Sequence, residues 1–312
     1  MFNKGQWNRF LLALKNRDYS TIIRAFLYVV SRFLGLLFAV PTIIILWALK
    51  PFVWIKVGGL HYGRIGHLAL ETDLFLRRRQ LGIYPDGPYY CFISNPNVAN
   101  RQLLNMWKRV IPVCESSVLS WLYYGMLPIL KRTPFYQDLP MKSSEYFEFN
   151  NTISLLYFTH DEIEKGREIL SQMNVNFDKD EFVCIFARDA TYLKQTIPYN
   201  DWSYHNARNS DIDILIETTK YLIEKDFTVI RVGSIVNKPI NYSHKKLIDY
   251  PYSEYQSDFL DVFLVAQCKF VLAAGASGVV HLADIFDRTC PLYSPEINSS
   301  SLADFPGFSW IS

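Results

Sequence analysis

Between Phe270 and Ala283 the chain reads FVLAAGASGVVHLA: a buried-type apolar run breaks at Gly275-Ala-Ser-Gly278 and continues at once in a helical pattern. A strand that turns sharply into a helix leaves the first amides of that helix without intrahelical partners. The aligned peptide dipoles add about half a positive charge there. Gly275 and Gly278 free the backbone to turn, and Ser277 adds a hydroxyl. Such a turn offers anion binding, with a diphosphate as the natural guest, although an ordinary tight connection has the same look in isolation. A side chain at Gly278 is expected to block that guest's approach.

Other candidate ligand groups fall where apolar runs end. Arg188 and Asp189 follow directly on Phe182–Ala187, and an Arg at a strand's carboxyl end can face phosphate oxygens. Tyr204–Asp211 (YHNARNSD) places His205 and Arg208 in a loop that closes on a helix start. Asp211 there either holds Arg208 or complements the helix dipole. Arg231 and Gly233 end the next apolar run. Ser257–Asp261 (SDFLD) opens a helix in which Asp258 is a cap or, with Asp261, an acceptor for ribose hydroxyls.

In the N-terminal half, His61-Tyr-Gly-Arg-Ile-Gly-His67 precedes a helix. If this turn supplies a base, as the resemblance given below implies, His67 is the best candidate, because imidazole titrates near neutrality. Glu71 and Asp73 are the alternatives, and a plain helix-start role for His67 also fits. No Asp-x-Asp is present, and the six histidines lack ligand spacing. No metal and no cofactor are therefore expected, with protein cations opposing the charge of a leaving diphosphate.

These groups need elements to hold them. Tyr89–Ser94 and Ile111–Val113 read as strands, and Ala99–Val110, Ser117–Leu130 and Asp161–Met173 as helices. After a connector, Val175–Asp180, a second series follows. Phe182–Ala187, Phe227–Val232, Phe270–Ala273 and Pro291–Tyr293 read as strands. They alternate with helices at Asp211–Lys225 (N-cap Ser210), Ser257–Cys268 and Gly278–Phe286. Alternation of this kind gives parallel sheets with crossover helices, which bind ligands at the strands' carboxyl ends.

The first 56 residues differ from the rest. They carry a net charge of +7, while the remainder carries −5. A basic leader on an acidic body points to anionic lipid and argues against a nucleic-acid-binding body. Phe33–Leu49 (FLGLLFAVPTIIILWAL) is uncharged, with Pro41 at its middle. Its seventeen residues reach about 25 Å as a helix, barely a hydrocarbon core. It is expected to span, re-enter or dock on a membrane, the alternative being a buried helix of a soluble fold. Basic flanks favour a cytoplasmic N-terminus. The five cysteines, odd in number and without Cys-x-x-Cys, favour a reducing compartment for the body. The expected location is a bacterial inner membrane, with the body on the cytoplasmic face.

Taken together, Gly63-Arg-Ile-Gly-His-Leu68, Ala187-Arg-Asp189, Tyr204–Asp211, Ile230-Arg-Val-Gly233, Ser257–Asp261 and the Ala-Ser-Gly turn resemble bacterial surface-carbohydrate glycosyltransferases, heptosyltransferases among them. The resemblance covers most of residues 60–290. It implies a GT-B fold: two Rossmann-like α/β domains facing across a cleft, here behind an N-terminal membrane-associated helix. The expected parts are an anchoring segment at 1–56, an acceptor-side domain at 57–175 and a donor-binding domain at 176–312. The donor set would be Arg188, His205, Arg208, Arg231, Gly233, Asp258, Asp261, Gly275, Ser277 and Gly278, facing His67 and Glu71. The partners implied are a nucleotide-sugar donor, a surface-polysaccharide or lipid-linked glycan acceptor, and membrane lipid. The polar end after Pro295 lacks the closing helices of that fold, which reads as a truncated or divergent terminus. Alternatives are another cleft enzyme of this shape, such as a polysaccharide pyruvyl transferase or a nucleotide-sugar epimerase, or a non-catalytic membrane scaffold.

Overall fold

The computed structural model describes residues 19–144, 147–196, 202, 206 and 209–293. By internal contacts the chain divides into two compact units. One comprises Met1–Leu60, Gly87–Pro96 and Ile111–Asp138, the other His61–Asp86, Asn97–Val110 and Leu139–Ser312. Domain boundaries at 57 and 176 remain expectations; in the contact pattern the His61–Asp86 segment groups with the C-terminal half.

In the first unit, helix α1 (Tyr19–Leu49) leads to β1 (Ile55–Gly59), with β2 (Tyr89–Ser94), β3 (Val113–Glu115) and helix α4 (Ser117–Leu130) contributed by later segments. The three strands form a parallel sheet in the order β1-β2-β3, with Val57 opposite Cys91 and Ile93 opposite Cys114. Leu46, Tyr123, Leu130 and Phe135 make its buried apolar cluster. Ser116 caps α4 by accepting from the Leu119 amide. Among the described residues no helix is long and apolar enough to cross a membrane, so the spanning form of the expected anchor is not supported.

The second unit contains helices α2 (Ile65–Gln80), α3 (Arg101–Val110), α5 (Phe147–Asn151) and α6 (His160–Gln172), then β4 (Phe182–Ala187) and α7 (Thr191–Thr196). A 3-10 turn (Ile212–Leu215) runs into α8 (Ile216–Glu224). β5 (Thr228–Arg231), β6 (Leu247–Asp249), α9 (Asp258–Gln267), β7 (Val271–Ala274), α10 (Gly278–Ile285) and β8 (Leu292–Tyr293) complete it. The five strands are all parallel, in the order β6-β5-β4-β7-β8. All six residues of β4 are buried, as a central strand covered on both faces requires. Val183, Ile185, Val229, Leu222 and Leu272 form the core on one side.

This strand order starts at β4, runs outward through β5 and β6, then returns to the other side of β4 with β7 and β8. The direction of winding reverses between β4 and β7. In an open parallel sheet the helices before and after such a reversal lie on opposite faces, which leaves a crevice at the strands' carboxyl ends. The α/β class with parallel sheets is therefore as expected. One local reading is corrected: Asp211, not Ser210, caps the segment after the Tyr204–Asp211 loop. Its carboxylate accepts from the Asp213 amide, and the first turn is 3-10 rather than α.

Candidate functional site

A cavity of about 280 Å³ lies in the second unit, at the carboxyl ends of the central strands. Arg188 and Asp189 enter it from the end of β4, Gly233 and Ser234 from the end of β5, and Ala276 to Val279 from the turn after β7; Arg64 to His67 come from the start of α2. The loops are pinned rather than slack. Asp189 accepts from the Thr191 amide at 2.7 Å and the Asn237 amide at 2.9 Å, tying the segments after β4 and β5 together. Gly233 holds φ of +144° and Gly275 φ of +93°, backbone states that favour glycine.

Two helix N-termini meet at this cavity. Ser277 caps α10, its hydroxyl accepting from the Val279 amide at 3.2 Å. Arg64 stands at the N-cap of α2 with extended backbone and no side-chain cap. The two starts touch through glycine: a Cβ on Gly278 would lie 2.6 Å from Ile65 Cγ2 and 2.9 Å from the Gly66 nitrogen. A side chain on Gly278 would thus meet α2 itself, a packing demand on this glycine beside its place in the cavity lining. Each N-terminus contributes roughly half a positive charge, and Arg64 and Arg188 add two whole ones at the lining. Arg188 is nearly buried and hydrogen-bonds Asn209 Oδ1.

Opposite the Ser277 turn, His67 sits on the first turn of α2. Its Nδ1 hydrogen-bonds Glu71 Oε1, four residues on, and its Nε2 accepts from an Arg64 guanidinium N–H. A guanidinium can only donate, so the proton of the His67 ring belongs on Nδ1 and the lone pair on Nε2. The other oxygen of Glu71 is bonded to His61 Nδ1. Glu71 is 2% exposed. Burial by itself would raise its carboxyl, but the hydrogen bonds and charges of the two imidazoles outweigh that, and the net shift is downward. The arrangement is an imidazole with a carboxylate behind it, the general form by which a histidine ring is held in one tautomer.

Of the residues expected from sequence, the cavity brings together His67, Glu71, Arg188, Gly233, Ser277 and Gly278. It does not bring in Arg231, Asp258, Asp261 or Gly275. Arg231 is buried on Asp249 and the Lys238 carbonyl. Asp258 receives the Arg101 amide at 2.6 Å and so ties α9 to α3. Asp261 accepts from the Tyr250 hydroxyl at 2.8 Å. Asp73 is enclosed with Arg77, which also reaches Asp287. His205 and Arg208 lie outside the described residues. Sequence reasoning missed Tyr192 as a neighbour of the site, gave His61 no role within its motif, and left His281 facing either core or donor. Tyr192 and His281 line it, and His281 pairs with the buried Asp284. Among the described residues no group of three or more His, Cys, Asp or Glu could hold a metal ion.

No family model matches the sequence, and no curated protein matches it either. Loose structural likenesses exist. The dodecameric iron-containing heptosyltransferase TibC, in complex with ADP-D-β-D-heptose, aligns over 83% of this chain and 64% of its own, at 11% identity and a TM-score of 0.40. TibC from enterotoxigenic E. coli H10407, described as a glycosyltransferase, aligns over the same shares with a TM-score of 0.41. POFUT1 in complex with GDP-fucose aligns over 77% of this chain and 97% of its own, at 8% identity and a TM-score of 0.37. The chain thus spans just under two thirds of TibC. At these values the likenesses decide neither substrate nor activity, and the site's own geometry has to carry the reading.

Proposed function

We propose that this protein is a glycosyltransferase of GT-B type that binds a nucleotide-sugar donor by its diphosphate in the cavity of the second unit. The supporting observation is the meeting of two helix N-termini at the switch point of a parallel sheet, with Arg64 and Arg188 at the same lining. Backbone amides and guanidinium groups suit phosphate oxygens in shape as well as charge. Transfer would proceed without a metal. The helix starts and the arginines stabilise the departing diphosphate, and His67 Nε2 takes the proton of the attacking acceptor hydroxyl. Glu71 holds His67 in the required tautomer. The bond from sugar to diphosphate breaks as the bond from acceptor oxygen to sugar forms, and the proton ends on His67.

The acceptor in this reading is a surface-polysaccharide or lipid-linked glycan. The basic, apolar N-terminal segment brings the enzyme to the cytoplasmic face of a bacterial inner membrane, where such acceptors are presented. Calorimetric titration of the full-length protein with UDP, GDP and ADP tests the donor half. One of them should bind, and Arg188→Ala should weaken it about tenfold or more, the worth of a charge-assisted hydrogen bond. Failure of every nucleoside diphosphate to bind the folded protein overturns the reading.

A further inference from the structure

The first unit carries a surface that the donor site does not use. Helix α1 has no charged residue from Phe33 to Leu49, and α4 has none from Ser117 to Leu130. The two cross where their backbones touch, since a Cβ on Gly35 would fall 2.3 Å from Gly125 Cα. Crossings at small residues are typical of helices that associate in lipid, where a large apolar side chain gains nothing by leaving the hydrocarbon.

Helix α4 buries Tyr123 and Leu130 in the apolar cluster of this unit and also leaves large apolar side chains outside it. Its four buried residues are Ser120, Tyr123, Gly125 and Leu130, while Val118 and Leu119 are 65% and 45% exposed. Helix α1 presents Phe33, Leu37 and Ile44 at 61–69% exposure. Large apolar side chains exposed on both helices are candidates for an interaction surface.

The occupant is indicated by what ends the two helices. Lys50 directly follows α1, and its Nζ lies 4.7 Å from the Trp47 ring and 5.3 Å from the Trp54 ring; Lys56 Nζ is 5.7 Å from Trp54. Lys131 directly follows α4, with its Nζ 5.4 Å from the Tyr136 ring, and Arg132 beside it is exposed. The Trp47 and Phe135 rings, 5.2 Å apart, place both ends together. Cations laid over indole and phenol rings at the edge of an uncharged apolar surface match the headgroup level of an anionic bilayer. A partner protein's apolar face would leave these cations without counter-charge.

We propose that α1 and α4 seat the protein together in one leaflet of an anionic membrane. Val118 and Leu119 reach the acyl chains, and Lys50, Lys56 and Lys131 meet the phosphates. This rests on the membrane part of the reading above and adds α4 as a second lipid-contacting element, entering without crossing.

The test uses full-length protein with Cys91→Ser and Cys114→Ser, labelled with an environment-sensitive fluorophore through Leu119→Cys, or Val118→Cys if the first variant misfolds by circular dichroism. Leu37→Cys reports α1, and Ile214→Cys in the second unit is the control. On adding vesicles of phosphatidylcholine with phosphatidylglycerol, emission at 119 should shift to the blue and be quenched by brominated acyl chains, as at 37, with no change at 214. Quenching at 37 alone overturns the role of α4 while leaving the anchor. Quenching at neither position overturns both and leaves nucleotide titration untouched. A blue shift at 119 that grows with protein concentration and needs no vesicles assigns the face to a second copy and overturns the proposal.

Discussion

Replacing Gly278 with alanine sets two effects of opposite sign against each other. Gly278 is the first residue of α10, and glycine in a helix costs up to about 1 kcal/mol relative to alanine; propensity alone predicts a more stable protein. The added methyl, however, would lie 2.6 Å from Ile65 Cγ2, 2.9 Å from the Gly66 nitrogen and 3.3 Å from Gly66 Cα. Two of those three neighbours are backbone, which cannot swing aside, so α2 must retreat from α10 by close to an ångström. Overpacking of this kind costs about 1–3 kcal/mol and exceeds the propensity gain. The melting temperature should fall by about 2–8 °C. Nucleoside-diphosphate binding should weaken with it, because the two helix starts part. Gly66→Ala, whose methyl would lie 2.9 Å from Gly278 Cα, should behave alike. Gly63→Ala, with nothing within 4 Å, is the control. Scanning calorimetry and titration of the three variants decide the matter. A rise in melting temperature for Gly278→Ala would refute the close crossing and the paired anion site built on it.

With an active donor and acceptor in hand, His67→Ala should lower kcat by about 10²-fold or more at unchanged donor affinity, as for a lost general base; normal turnover would remove it from the mechanism. Glu71→Gln keeps the shape but loses the charge that orients both imidazoles. It should cost about 10–100-fold in kcat with little change in KM, and full activity would refute the orienting role. Asp261 predicts a pH effect on stability. Burial pushes its carboxyl up to about 6, against the hydrogen bond from Tyr250. The folded state thus holds this proton more tightly than the unfolded chain, and its contribution is fullest below pH 4 and lost as pH rises through 6. Asp261→Asn should flatten that slope and stabilise the protein at pH 8 by up to about 3 kcal/mol. Urea denaturation at pH 5 and pH 8 checks it, and an unchanged slope would place the titration elsewhere.

The elements that sequence located best are those with the least ambiguous signals. Ser117–Leu130 and Phe182–Ala187 were expected at their observed bounds, one being too long for a strand and the other a continuous apolar run closed by a charged pair. β1 and β6 gave no such signal: IKVGG and LID are too short for periodicity to register. Among site residues, position along the chain was legible and side-chain direction was not. Arg231 ends β5 as expected, yet strand alternation turns it toward Asp249 on β6. Asp258 and Asp261 open α9 as expected, but their partners, the Arg101 amide and Tyr250, come from distant segments. His67 and Glu71 read from sequence as alternative bases, whereas the i,i+4 spacing of α2 pairs them. His61 lies before the helix, where no period applies, and only the folded turn brings it to the same carboxylate.

The proposed donor site must place a diphosphate in a body of net charge −5. The relevant field is local, since charges more than about 8–10 Å away through water are largely screened. Within the cavity the two carboxylates are already committed, Glu71 to His61 and His67, Asp189 to two backbone amides. The positive ends of α2 and α10 and the guanidinium of Arg64 face the space they share. Arg64 has a second engagement, on the Nε2 lone pair of His67. In the proposed mechanism, a phosphate that draws Arg64 to itself would uncover the Nε2 lone pair of His67. Under the proposed function, donor binding and the freeing of His67 would be one event.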